Sequence, residues 1–93
     1  MAEFVHQFHE PFVDGATERQ FSVRVYADQA ASHWEGWIEF YPLDEGPSLR
    51  TGRETEQGSR PQLAYWATGL SGLYLEGAFK RARGNAEHPA PSP

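Results

Sequence analysis

The sequence predicts an α+β domain: an antiparallel meander of three to four strands followed by one or two C-terminal helices packed on one sheet face. Three observations lead there. Up to Tyr41, apolar and polar side chains alternate with a period of two. Pro42 to Gly58 is polar and rich in turn residues. From Ser59 onward, apolar residues recur at spacings of three and four.

The elements follow in order. Phe4, Phe8 and Phe12 share one parity, with His6 and Glu10 between them, which predicts an early edge strand with one aromatic face. It should end near Pro11, because proline cannot donate to a ladder. Asp14-Gly15 is a turn signal. Phe21, Val23, Val25 and Ala27 then alternate with Ser22, Arg24, Tyr26 and Asp28, the cleanest half-buried strand in the chain. A third strand is expected over 33–41, with Trp34, Ile38 and Phe40 toward the core, stopped by Pro42 and the Asp44-Glu45-Gly46-Pro47 turn. Short links make the three strands antiparallel neighbours.

Ser48 to Gly58 holds Leu49 as its one large apolar residue and reads either as a short edge strand or as a loop. Ser59-Arg60-Pro61-Gln62 combines an N-cap serine, a first-turn proline and a capping-box glutamine. Leu63, Trp66, Ala67 and Leu70 continue at helical spacing, with Gly69 or Gly72 as the stop. Leu73 to Arg83 fits two periods. As a strand it aligns Leu73, Leu75 and Phe79. As a helix it aligns Leu75, Ala78, Phe79 and Ala82, places Lys80, Arg81 and Arg83 in the last turn, and uses Gly84 as C-cap. These terminal signals outweigh the roughly 1 kcal/mol that Gly77 costs a helix. Residues 1–83 are therefore read as one domain, and the Pro-rich residues 84–93 as a disordered tail.

Composition narrows the chemistry. Ninety-three residues suffice for a single core. There is no cysteine, which excludes disulfides, thiolate metal sites and thiol catalysis. Met1 to Asp14 lacks the basic and apolar pattern of a leader, and no run approaches the roughly 18 apolar residues of a membrane span, so the expectation is a cytoplasmic protein without a membrane partner. Residues 1–46 set nine carboxylates against Arg19 and Arg24, a balance of −7, whereas residues 47–93 carry a balance of +2. The net charge of −5 argues against general nucleic-acid binding.

The densest feature is Trp34-Glu35-Gly36-Trp37-Ile38-Glu39-Phe40-Tyr41. With Trp34, Ile38 and Phe40 committed to the core, Glu35, Trp37, Glu39 and Tyr41 fall on the opposite sheet face beside Arg24 and Tyr26 from the preceding strand. An open antiparallel face is normally polar; this one is aromatic and acidic. Trp and Tyr dominate binding hot spots, so Arg24, Tyr26, Glu35, Trp37, Glu39 and Tyr41 form a candidate interface for a protein partner or a second copy. The competing reading is internal: Trp37 and Tyr41 pairing across strands with Arg24 and Tyr26.

A second candidate is the approach to the first helix, where Arg50, Arg53, Ser59 and Arg60 meet free backbone amides suited to a phosphate or carboxylate. The histidines give no metal site by spacing: His6 and His9 should point to opposite faces, His33 sits at a strand end, and His88 falls in the tail. No serine lies in a nucleophile-elbow motif. Glu35 and Glu39 share a face but stand about 13 Å apart at strand rise, beyond glycosidase separations. The chain thus reads as a non-catalytic interaction domain with no cofactor and no metal.

Overall fold

The computed structural model describes residues 1–87. Its elements are β1 (Glu3–Gln7), β2 (Phe12–Val13), β3 (Gln20–Ala30), β4 (His33–Pro42), β5 (Leu49–Arg50), β6 (Thr55–Gln57), α1 (Arg60–Thr68) and α2 (Gly72–Glu87). The central hairpin β3–β4 pairs antiparallel from Phe21 opposite Pro42 to Ala30 opposite His33. Both flanks are broken into two short strands: β1 and β2 on β3, β5 and β6 on β4. The result is a four-lane antiparallel sheet with both helices on one face, the α+β architecture expected.

Alternation decides what each face holds. Phe21, Val23, Val25 and Ala27 of β3 and Ile38 and Phe40 of β4 are buried against Leu63 and Ala67 of α1 and Leu75, Ala78, Phe79 and Ala82 of α2. Phe79 is the aromatic hub, its ring 4.9–5.2 Å from those of Phe12, Phe21 and Phe40. The period ambiguity after Leu73 resolves as helix because only that period puts Leu75, Ala78, Phe79 and Ala82 on one stripe over the sheet. α1 packs closely over Gly36: a Cβ there would stand 3.1 Å from Leu63 Cδ1, and equally 3.1 Å from Thr55 Cγ2 of β6.

The undecided stretch after Ser48 contains two strands hinged on Thr51, whose side chain is fully buried. Its amide donates to the Ile38 carbonyl at 2.9 Å, and its Oγ1 accepts the Ile38 amide at 3.0 Å while donating to the Gly52 carbonyl at 2.7 Å. One hydroxyl thus satisfies a central-strand amide that the gap between β5 and β6 would otherwise orphan.

Three expectations are corrected. A β-bulge between Phe4 and His6 breaks the parity of the early phenylalanines: Phe8 and Phe12 pack on the core, but Phe4 lies opposite Tyr26 on the other face. Pro11 does not end the edge either, since Phe12 and Val13 resume pairing with β3. Finally, α2 runs through Gly84 to Glu87, so the first residues assigned to a disordered tail are helical. There the Asn85 side-chain Nδ2 donates to the Arg50 carbonyl at 3.2 Å. The remaining tail residues, 88–93, lie outside those described.

Candidate functional site

The sheet face away from the helices carries the residues expected there. Arg24 stands opposite Glu39, Tyr26 opposite Trp37 and Asp28 opposite Glu35, in successive rows of the β3–β4 ladder. Tyr26 and Trp37 stack with ring centroids 6.4 Å apart at 17°, and Phe4 meets Tyr26 edge-on at 6.0 Å. The Arg24 guanidinium lies 4.5 Å from the Tyr41 ring centroid, and the Arg50 guanidinium 4.2 Å from that of Trp37. Glu39 accepts hydrogen bonds from Trp37 Nε1 at 2.8 Å and from the Tyr41 hydroxyl. That carboxylate first, then burial and the neighbouring Tyr26, push the Tyr41 phenol well above its ordinary pKa.

These contacts change the character of the face. Trp37 is only 7% exposed although no helix covers it, because Tyr26, Glu39 and Arg50 enclose it. Glu39 accepts from Trp37 and Tyr41, and Glu35 has His33 and Arg53 as partners, so both carboxylates of β4 already have internal partners. What lies over the rings is guanidinium. The Nε of Arg24 is buried without a hydrogen-bond partner, a state that costs free energy when the group is cut off from water. Phe4 remains 50% exposed. Internal cross-strand pairing and an aromatic surface are both realised, with half-exposed Phe4 and the partly buried Tyr26 and Tyr41 left as contact area.

The Arg-rich stretch is distributed differently from the sequence expectation. Arg50 belongs to the open face. Arg53 donates to Glu35 at 3.3 Å and to Glu56 at 3.1 Å. Arg60 donates to the Glu3 carboxylate and the Phe4 carbonyl, both at 3.1 Å, tying α1 to β1. Ser59 caps α1, its Oγ accepting the Gln62 amide at 3.3 Å. Arg50, Arg53 and Arg60 therefore have three separate internal tasks rather than one shared focus.

A cluster that histidine spacing did not find lies at the start of β4. His33 Nε2 is 3.0 Å from Glu35 Oε2 and 3.1 Å from Glu56 Oε1. Glu35 and Glu56 are direct cross-strand partners of β4 and β6. A hydrogen bond from His33 and the charge and hydrogen bond of Arg53 hold the Glu35 carboxyl below the usual carboxylate range. Sequence reasoning missed this group because it depends on the β4–β6 register, and the stretch 48–58 reads either as a short edge strand or as a loop, with no register to assign.

A different polar cluster joins α2 to the sheet. Glu54 accepts two hydrogen bonds from Arg81, at 2.9 and 2.6 Å, and one from the Tyr74 hydroxyl at 2.6 Å. These contacts fasten α2 to the segment leading into β6. No protein-family model matches the chain, and neither a curated protein nor a solved structure resembles it significantly.

Proposed function

We propose that this is a small interaction domain that associates with a second copy of itself through the open sheet face. The observation that carries the reading is that Phe4, Tyr26, Trp37 and Tyr41, with Arg24 and Arg50 over two of the rings, are gathered on the one sheet face that neither helix covers. Buried cores of interfaces are enriched in Tyr, Trp, Phe and Arg. The charges on this face are ordered along the strands. The Arg24 and Arg50 row lies on one side of the Tyr26–Trp37 row, and the Asp28 and Glu35 row, with Glu56 beside it, lies on the other.

A twofold axis in the plane of contact, crossing the strands at Tyr26–Trp37, sets the arginine row of each copy over the acidic row of the other. Four lanes ~4.8 Å apart and about seven residues long give roughly 450 Å² per copy, at the low end of specific interfaces. The association is therefore weak and concentration-dependent. Anion binding by Arg50, Arg53, Ser59 and Arg60 has less support, because Arg53 and Arg60 already hold carboxylates of this chain.

Sedimentation velocity from about 10 μM to about 1 mM tests the reading, a range chosen for an interface of that size. The expected result is a sedimentation coefficient that rises with concentration, with the rise suppressed in Phe4→Glu and Tyr41→Ala. A wild type that stays monomeric throughout, or variants that associate as strongly as it does, would overturn it.

A further inference from the structure

We infer that His33, Glu35 and Glu56 form a binding site for one divalent transition-metal ion of the Zn²⁺ type. The three donor atoms come from two strands. His33 and Glu35 are two residues apart on β4 and share a face, and Glu56 of β6 is the direct partner of Glu35. His33 Nε2, Glu35 Oε2 and Glu56 Oε1 lie within 4.8 Å of one another. A tetrahedral ion with bonds of about 2.0–2.1 Å holds adjacent ligand atoms about 3.3 Å apart. The observed 3.0 Å and 3.1 Å from His33 Nε2 to the two carboxylate oxygens need only a few tenths of an ångström of adjustment.

The donor set also selects the ion. One imidazole with two carboxylates suits Zn²⁺ and its neighbours, whereas Mg²⁺ and Ca²⁺ prefer oxygen ligands alone. The side chains are one third to one half exposed, so an ion can enter and keep a water as its fourth ligand.

A second line of argument is electrostatic. Two carboxylates placed directly opposite on neighbouring strands repel unless a cation lies between them. Here that role falls to Arg53, whose Nη1 is 3.3 Å from Glu35 Oε2 and 3.1 Å from Glu56 Oε1. Each carboxylate oxygen has more than one lone pair, so Arg53 can flank an ion held by the same two oxygens. Arg53 then competes with the ion through its charge.

Isothermal titration calorimetry of the full chain with Zn²⁺, in chelator-free buffer near neutral pH, tests the site; because Glu35 and Glu56 also lie in the row that self-association would cover, the titration is run at a protein concentration where sedimentation shows monomer alone. The expected result is one ion per chain, no comparable binding of Mg²⁺, and affinity reduced at least about tenfold in His33→Ala and in Glu56→Gln. Arg53→Gln should tighten binding severalfold by removing the competing charge, an effect that loss of a merely structural ion pair would not produce. His9→Ala should bind as the wild type does. Two-dimensional NMR during the titration should move the His33 ring resonances first, which keeps the test valid if one variant folds poorly. Absence of one-to-one binding, binding that survives His33→Ala and Glu56→Gln, or binding lost in His9→Ala instead would each overturn the proposal.

Discussion

Arg81 and Glu54 form a two-pronged ion pair, Nε to Oε2 at 2.9 Å and Nη2 to Oε1 at 2.6 Å, in which the Glu54 side chain is only 6% exposed and that of Arg81 is half exposed. The asymmetry matters. Removing Arg81 strands a buried carboxylate, whereas removing Glu54 leaves an arginine that water can reach.

Arg81→Met is therefore expected to destabilise the fold by about 1–3 kcal/mol, less than a fully buried pair would lose because water already screens half of Arg81. Glu54→Gln should cost less. The pH dependence follows from the carboxyl itself. Burial pushes Glu54 upward, but hydrogen bonds from Arg81 and Tyr74 and the charge of Arg81 outweigh it, leaving Glu54 below its ordinary 4.5. A carboxyl with a lowered folded-state pKa contributes stability above its unfolded-state value and loses that contribution as pH falls through the folded-state one. Urea unfolding should show a gap between wild type and Glu54→Gln at pH 7 that narrows below about pH 4.5. A constant gap down to pH 3 would refute the assignment.

Gly36 carries a second prediction. The residue is buried in β4, and an added methyl group meets Leu63 Cδ1 and Thr55 Cγ2, both at 3.1 Å. Leu63 is fully buried, so it has little room to retreat. Gly36→Ala should cost about 1–3 kcal/mol through overpacking between α1 and the sheet. Leu63→Val in the same chain should recover part of that loss, a non-additivity that thermal unfolding of the four-member mutant cycle would reveal. Strict additivity would mean that the strain lies elsewhere.

The core, unlike these contacts, was legible in the sequence. The core stripe of β3 and that of α2 obey single periods, and the two helices pack on one face because their apolar stripes have no other surface to bury. Gly36 and Thr51 act through one close approach and one pair of hydrogen bonds, which periodicity does not encode. Phe4 was misplaced by a bulge, since one extra residue inverts the parity of everything before it. Trp37 was assigned to the correct face, but its cover is Arg50, which arrives from a strand two residues long. His33, Glu35 and Glu56 escaped for the same reason: β6 is a three-residue strand without an apolar pattern, visible only once paired.

The final prediction concerns alkaline solution, where two phenols serve as donors to carboxylates. Tyr41 donates to Glu39 on the open face, and Tyr74 donates to Glu54 beneath α2. Ionising either phenol would remove a donor and place a second negative charge beside a carboxylate, so both pKa values rise. For Tyr41 the Glu39 bond is the leading cause; for Tyr74 burial leads, the Glu54 bond follows, and its phenol is pushed up to about 12. A raised folded-state pKa contributes stability in full below the ordinary value of 10 and loses it as pH climbs through the folded-state value. Spectrophotometric titration of the native protein should therefore show phenol ionisation well above pH 10, and Tyr41→Phe and Tyr74→Phe should each remove part of that late component. Tyr74→Phe should also lower stability at pH 8, by an amount that shrinks between pH 10 and about 12 as the wild-type phenol itself ionises. If the late component is intact in Tyr74→Phe, the Tyr74–Glu54 bond does not hold α2 in solution.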